Sequence, residues 1–246
     1  MSDESPKSLA VRLRESDADE LMKLLQKHLH ELEVPEVRQV LRNPFLTQQA
    51  IELLLEERRL LAYSEIKRSL VCHPRTPEIR ARRLVPTLFW RDLIQISGDG
   101  RVPPKVRRSA DLQLRDRLQG LAVGERMSIA RRASPTLIQQ LRTDNDPRVV
   151  EALLENPRLT EGSLMPLLGS DRASPKALAL VARHRRWGIR YGVKSALCRN
   201  ARTPPEICLG LLSQLKKSDL RAVFQNRRLP AVVRRRAGTL LGQEPR

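Results

Sequence analysis

Three groups of closely spaced cations are the residues of this chain whose chemistry is most evident. Arginine presents a planar fork of N–H donors that matches the oxygen pairs of phosphate. We name these groups the basic triplets and predict that they contact a polyanion; the alternative is that each is the solvated face of an amphipathic helix. The triplets are Arg80, Arg82 and Arg83; Lys105, Arg107 and Arg108; and Arg234, Arg235 and Arg236.

A second candidate site is the stretch VARHRRWGIRYGVK, residues 181–194, which holds one of the two tryptophans and one of the two tyrosines. On a continuous helix, residues spaced by three or four would share one face. Arginines beside aromatic rings suit phosphate contact combined with base stacking. The alternative is that the aromatic rings pack between helices while the arginines reach outward. The candidate residues are Arg183, Arg186, Trp187, Arg190, Tyr191 and Lys194.

The charge of the chain favours a polyanionic partner. The 246 residues carry a net charge of +18, and the isoelectric point is about 11.1. Residues 1–36 carry −4 and the remainder +22. This balance fits nucleic acid, an anionic membrane surface or an acidic protein as the partner. The alternative interpretation is that the charge only makes the surface highly soluble.

Residue types that would support catalysis or metal binding do not form recognisable motifs. The three cysteines lie in apolar helical stretches without ligand spacing, so we expect small core residues in a reducing compartment. The four histidines are not grouped as zinc ligands. No glycine-rich phosphate loop, nucleophile elbow or catalytic carboxylate pair is found. We therefore expect neither a metal, nor a cofactor, nor an enzymatic activity.

The sequence also lacks signals for a membrane. No run approaches the roughly 18 apolar residues that a spanning helix needs, and the first residues, MSDESPKS, lack the apolar core of a signal peptide. We expect a cytoplasmic protein without a transmembrane segment.

The elements that position these cations are predicted by an internal repeat. The stretch ENPRLTEGSLMPLL, residues 155–168, recurs in modified form around an Asn-like residue that we name the anchor. Successive anchors are separated by 30, 26, 31, 26, 44 and 26 residues. The anchors are Asn43, His73, Asp99, Ala130, Asn156, Asn200 and Asn226.

Each copy predicts two short helices. The first ends at the anchor, because Asn tolerates the left-handed C-terminal conformation and a following Pro biases the anchor away from helix. A Thr, Ser or Pro four residues later caps or opens the second helix, which presents apolar residues near the eighth, eleventh and twelfth positions after the anchor. The interval of 44 residues contains an additional helix, SPKALALVARH.

Stacking of such pairs would bury apolar stripes that neither helix can bury alone. The predicted fold is all-α, a right-handed α-solenoid of about seven short two-helix repeats. Residues 1–34 would form an acidic tail and a capping helix that starts at Ser16, residues 35–242 the repeat array, and residues 243–246 a C-terminal tail. The basic triplets would then lie on second helices, which line the concave surface of a solenoid.

The pattern D-P-x-V…L-x-x-N-P-x-L-T-x-x-x-L-x-x-L at residues 146–168 resembles bacterial HEAT-like repeats, close to the leucine-rich repeat variant form. The resemblance covers roughly residues 35–242 and implies an α-solenoid without implying a function. The chain is also similar in basic character to HEAT-like alkylpurine DNA glycosylases, which need an acid beside stacking aromatics. Phe89, Trp90 and Asp92 are the nearest match, but Trp90 and Asp92 would not share a helix face.

The function expected from the sequence is therefore non-catalytic binding of nucleic-acid phosphates, DNA or RNA, on a basic concave surface. The alternative is an adaptor whose groove holds an acidic protein segment.

Overall fold

The computed structural model describes residues 8–144 and 146–242, and over these ranges the chain is all-helical, without a strand. The helices belong to two compact units, Met1–Arg117 and Leu118–Arg246, which we call unit 1 and unit 2. Residues 8–34, the described part of the predicted acidic tail and capping helix, lie in unit 1, and the predicted domain bounds stay a prediction. The predicted tail at 243–246 lies outside the described residues.

Unit 1 contains eight helices within its described part: α1 (Leu9–Glu15), α2 (Ala18–His28), α3 (Val34–Arg42), α4 (Gln48–Glu56), α5 (Ser64–Cys72), α6 (Glu78–Leu84), α7 (Trp90–Gly98) and α8 (Pro104–Arg117). Short 3-10 turns at Leu60–Ala62 and Val85–Thr87 connect second helices to the first helices of the next pair.

Unit 2 contains nine helices over the residues described: α9 (Val123–Ala130), α10 (Pro135–Leu141), α11 (Pro147–Leu154), α12 (Glu161–Leu168), α13 (Pro175–Arg183), α14 (Tyr191–Arg199), α15 (Pro205–Leu212), α16 (Lys217–Gln225) and α17 (Ala231–Leu240). A 3-10 turn at Leu118–Gly120 precedes α9.

The predicted starts of the second helices are confirmed. The hydroxyl of Thr160 accepts from Ser163 N at 3.2 Å, and that of Thr47 accepts from Ala50 N at 3.2 Å. These bonds satisfy backbone donors that have no partner within the helix. At the amino-terminal helix the prediction is wrong by one residue, because Asp17, and not Ser16, caps α2.

Both cores are built almost entirely from aliphatic side chains. Leu164, Leu167 and Leu168 of α12 are buried, as the repeat predicts. On α15, Leu212 is buried whereas Leu211, also predicted for the core, is half-buried. Adjacent helical positions differ by about 100°, which takes Leu211 to the edge of the interface.

The asparagine anchors hold consecutive turns together through their side chains. Asn156 Nδ2 donates to Ala130 O at 2.7 Å and to Ala133 O at 3.1 Å, and its Oδ1 accepts from Arg158 N at 2.8 Å. Asn43 and Asn200 make the same three kinds of hydrogen bond. Asparagine suits these three anchors because its amide donates and accepts at once.

The left-handed conformation predicted for the anchors is wrong, whereas the predicted bias away from helix before a proline is confirmed at Asn43. No described residue other than Gly242 has a positive φ. Asn43 and Asn200 are extended, with φ of −68° and −88°. The amide bonds backward to the preceding turn, so the turn closes without the left-handed region.

The additional helix predicted in the 44-residue interval is confirmed as α13, and it ends at a further anchor. His184 Nδ1 accepts from Arg186 N at 3.2 Å, as His73 Nδ1 accepts from Arg75 N at 3.2 Å. After His184 the chain forms a turn and enters α14 without a second helix. The long interval therefore contains one pair that lacks its second member.

Candidate nucleic-acid interface

The first two basic triplets lie on α6 and α8 of unit 1, and two of their members are held in ion pairs between helices. Arg80 Nη2 lies 2.6 Å from Glu52 Oε2 on α4. Lys105 Nζ lies 3.4 Å from Glu78 Oε1 on α6. Each pair joins a second helix to the second helix before it. These two cations therefore contribute to helix packing and are already neutralised in part.

The middle arginine of one triplet and the first of another stand at a core-facing position. Arg107 and Arg234 are each the eighth residue after an anchor, where Ile51 and Leu164 are buried. Both arginines are half-buried, and the Nε of each is buried without a hydrogen-bond partner in the part of the chain described. Their stems extend the helix interface, so a polyanion could reach only part of each side chain.

The remaining triplet members are open to solvent. Within the described ranges, none of them has a carboxylate within ion-pair distance. Arg108 makes one weak contact, from Nε to Pro104 O of its own helix at 3.4 Å. These residues are Arg82, Arg83 and Arg108 in unit 1, and Arg235 and Arg236 in unit 2.

The arginine-rich stretch around Trp187 is not one helix, which corrects the predicted face. α13 ends at Arg183, residues 184–190 form a turn, and α14 begins at Tyr191. The Trp187 side chain is only 1% exposed, and its indole Nε1 donates to Leu154 O at 3.0 Å. Stacking of a base on Trp187 is therefore excluded, and the packing alternative describes this ring.

Close backbone packing explains why a glycine follows Trp187. A Cβ at Gly188 would lie 2.1 Å from Ala182 O, and Gly188 N donates to His184 O at 2.7 Å. Trp187 stands three residues after its anchor, a position that the smaller Leu159 fills after Asn156. We interpret the large indole as filling space that a second helix fills in other pairs.

Arg186, another predicted binding residue, belongs to the scaffold. Its guanidinium donates to Asn156 O at 3.4 Å and to Leu159 O at 3.2 Å, and it lies 4.4 Å from the Trp187 ring centroid. Arg75 donates to two carbonyls of its preceding turn in the same manner. An arginine two residues after an anchor thus holds the turn before it.

The other predicted residues of this stretch differ in whether their side chains already have a partner in the protein. Arg190 Nη1 contacts Glu161 Oε2 at 3.1 Å, and Lys194 Nζ donates to Gln214 Oε1 at 2.7 Å. Tyr191 is 37% exposed, but its hydroxyl donates to Asp219 and Lys216 lies over its ring. Arg183 is exposed and has no carboxylate partner among the described residues.

The strongest charge imbalance lies in residues 171–240 of unit 2. This segment contains 17 Lys and Arg but only three Asp and Glu. Two of those acids are engaged: Asp219 with Arg199, and Asp171 with Arg228 at 3.4 Å. Most cations of the segment therefore cannot be neutralised within it.

The sequence prediction missed most of the exposed cations of residues 171–240. They could have been found by counting acids locally instead of looking for triplets. Arg183, Arg235 and Arg236 were predicted. The missed exposed cations, also without a carboxylate partner in the described part of this segment, are Arg172, Lys176, Arg185, Arg202, Lys216, Lys217, Arg221 and Arg227.

The Cys72 thiol, which lies in a groove of unit 1, is not activated as a nucleophile. An open groove of about 690 Å³ in unit 1 is lined by Cys72, His73, Asp99 and Arg101, among others. Burial, followed by the Asp99 carboxylate, raises the pKa of the Cys72 thiol. Burial, followed by Arg75, lowers the pKa of His73. Cys72 therefore stays a neutral thiol near pH 7, unlike a catalytic cysteine.

The glycosylase-like residues are also engaged elsewhere. Asp92 Oδ1 accepts from Arg68 at 3.4 Å and its side chain is 13% exposed, whereas Phe89 is 65% exposed at the start of α7. Within the described chain no three His, Cys, Asp or Glu side chains group as metal ligands.

Comparison with protein-family models, curated proteins and solved structures found no match to this chain. Among the helices described, none combines the length and the apolar character that crossing a membrane requires.

Proposed function

We propose that this protein is a non-catalytic scaffold that binds nucleic acid through phosphates, with little reading of base sequence. The observation that carries the proposal is the excess of cations in residues 171–240, which contain 17 Lys and Arg residues but only three Asp and Glu residues. Exposed arginines without a carboxylate partner retain their full attraction for phosphate, and their forks suit its geometry. Arg82, Arg83 and Arg108 would add phosphate contacts on unit 1.

The scaffold role agrees with the way the helix pairs are joined. In each unit, anchor side chains bond to carbonyls of the preceding turn, which is the nearest-neighbour connection of repeat proteins. We therefore propose a right-handed α-solenoid of about seven HEAT-like repeats as the organisation that extends this local pattern. A basic concave surface follows as part of the same proposal.

A salt titration tests the binding function. The full chain is mixed with a labelled duplex of about 20 base pairs, and the dissociation constant is measured by fluorescence anisotropy over a range of KCl concentrations. Log affinity should fall with log salt at a slope of about −0.9 per neutralised phosphate, or about −5 for six contacts. Absence of binding at low salt, or an affinity independent of salt, would overturn the proposal.

A competitor separates this function from the adaptor alternative. A glutamate-rich peptide of equal charge should displace the duplex only weakly, because carboxylates along a flexible peptide do not reproduce the spacing of phosphates. Tighter binding of the peptide than of DNA or RNA would favour an adaptor for an acidic protein. Arg82→Gln/Arg83→Gln should reduce the salt slope, since both side chains are exposed and unpaired in the described chain. Arg80→Gln is the matched control, because Glu52 already neutralises Arg80 in part.

A further inference from the structure

The aromatic residues of unit 1 lie outside its core. The whole chain has only seven Phe, Trp and Tyr residues, and four of them are in unit 1. Phe45 is 57% exposed, Tyr63 44% and Phe89 65%, while Trp90 is half-buried. The core of the unit is formed by Leu, Ile, Val and Ala instead. Large apolar side chains that lie close together at a surface are typical of binding sites, so their arrangement decides whether they form one.

Two of these rings stand at matching points of consecutive helix pairs. Tyr63 immediately precedes α5 and Phe89 immediately precedes α7, and they are 26 residues apart, the commonest anchor spacing. The two turns are linked directly, because Lys67 Nζ on α5 lies 3.4 Å from Thr87 O, two residues before Phe89. The rings therefore occupy the same edge of the unit, which we call the aromatic edge.

Cations accompany the aromatic edge. Arg91 follows Phe89 by two residues, is exposed, and has its guanidinium carbon 5.4 Å from the Trp90 ring centroid. Arg58 is exposed in the turn that leads to Tyr63, and no carboxylate partner is found for it among the described residues. The acids nearest to the edge have partners elsewhere: Asp92 is engaged by Arg68, Glu65 by Arg38 and Glu57 by His30. The edge thus combines apolar planes with exposed cations.

A second feature holds the edge in place. Arg117 Nη1 donates to Leu88 O at 2.7 Å, and its other nitrogen donates to Pro86 O. Both carbonyls lie in the turn that carries Phe89, so Arg117 of α8 holds the backbone of that turn. A turn that is already ordered loses less entropy when a ligand binds to it.

We propose that the aromatic edge of unit 1 binds the bases of single-stranded nucleic acid by stacking, while the adjacent cations contact its phosphates. Every base has a π-face, so stacking is tolerant of sequence, but in a duplex the faces are covered by neighbouring base pairs. The inference rests on the proposed function for the class of ligand and goes beyond it by assigning a second surface and a preference for unpaired strands.

The test compares single and double strands on the full chain. Labelled oligo-dT and oligo-rU of about 16 nucleotides and a duplex of equal length are titrated by anisotropy. Tyr63→Ala/Phe89→Ala should weaken single-strand binding at least about fivefold, the smallest loss for one stacked base, because the variant removes two rings. Duplex binding should change less than twofold. The oligo-dT and oligo-rU arms distinguish DNA from RNA as the source of the strand.

Matched variants keep the result interpretable. Phe45→Ala removes an equally exposed ring from the other type of turn, after α3, and should leave single-strand affinity unchanged. Tyr63→Phe/Phe89→Tyr keeps both rings and should retain affinity. An unchanged single-strand affinity in the alanine double variant, or an equal loss in Phe45→Ala, would overturn the inference. If the wild-type chain binds the duplex but no single strand, the inference alone fails; if it binds none of the probes, the proposed function fails as well.

Discussion

Unit 1 and unit 2 use the same residue types for different purposes. Unit 2 carries a net charge of +14 and unit 1 only +4. Arginines of unit 1 such as Arg80 are matched by acids on the neighbouring helix, whereas those of residues 171–240 far exceed the acids available. Among the aromatic residues, Trp187 of unit 2 is buried whereas Phe89 of unit 1 is exposed. Under the proposed function, this difference predicts that phosphate attraction is strongest on unit 2 and base stacking on unit 1.

The largest expected change in the free energy of unfolding follows from replacing Trp187, and Phe89 is the comparison. Trp187→Ala should lower the free energy of unfolding by about 3–5 kcal/mol, since it empties a fully buried site and removes the indole hydrogen bond. Phe89→Ala should change it by less than about 0.5 kcal/mol, as expected for an exposed side chain. Urea denaturation of both variants is the measurement. Equal losses would show that Phe89 is a core residue.

A somewhat smaller effect compares two anchors of unit 2. Asn156→Ala should cost about 2–4 kcal/mol, because a fully buried amide makes three hydrogen bonds and its loss leaves backbone groups unsatisfied. Asn226→Ala should cost about 1 kcal/mol, because that residue is half-buried and its Nδ2 contact with Arg199 O is 3.3 Å long. Thermal unfolding of the two variants gives the order, and a reversed order would refute the anchor assignment.

Two leucines of the second helices should also differ in how much their loss destabilises the fold, and the more buried one should cost more. Leu167→Ala should cost about 2–4 kcal/mol, because the side chain is 3% exposed. Leu211→Ala should cost about 1 kcal/mol, because that side chain is already partly exposed to solvent. Chemical denaturation of both variants checks whether Leu167 lies inside the core of unit 2 and Leu211 at its edge.

The smallest effect is a dependence on pH confined to one anchor of unit 1. Burial lowers the pKa of folded His73 below its ordinary value of 6.5, so the unfolded chain binds the proton more readily. The contribution of this group to stability is therefore complete above pH 6.5 and declines as the pH falls below it. His73→Asn should remove that part of the pH dependence, since Asn serves as an anchor elsewhere. Denaturation curves at pH 7.5 and about 5.5 measure it, and an unchanged slope in the variant would contradict the assignment.

The local features of the fold could be predicted because they depend on neighbouring residues. Thr160 caps its helix through a hydrogen bond to Ser163, three positions later, and such spacing is visible in the sequence. The extra anchor His184 was missed because helical periodicity does not reveal an absent second helix. Its signal was present, however, since His184 and Arg186 repeat the spacing of His73 and Arg75.

The allocation of the cations could be predicted only in part. Lys105 pairs with Glu78, which lies 27 residues earlier, and such a pair depends on how two helices align. The role of Arg186 could not be predicted for the same reason, because its carbonyl partners lie far from it in sequence, in the preceding turn. Sequence pattern alone does not distinguish an arginine that holds a turn from one that faces solvent.

The most direct test of the account compares exposed and scaffold arginines of one stretch. Arg183→Gln/Arg185→Gln and Arg186→Gln are each measured for nucleic-acid affinity against salt and for thermal midpoint. We predict that the double variant reduces the salt slope by about one per lost phosphate contact and leaves the midpoint unchanged, whereas Arg186→Gln lowers the midpoint and preserves the slope. A double variant with the wild-type slope, or one that loses stability as Arg186→Gln does, would contradict the claim that the unpaired cations of unit 2 bind phosphate.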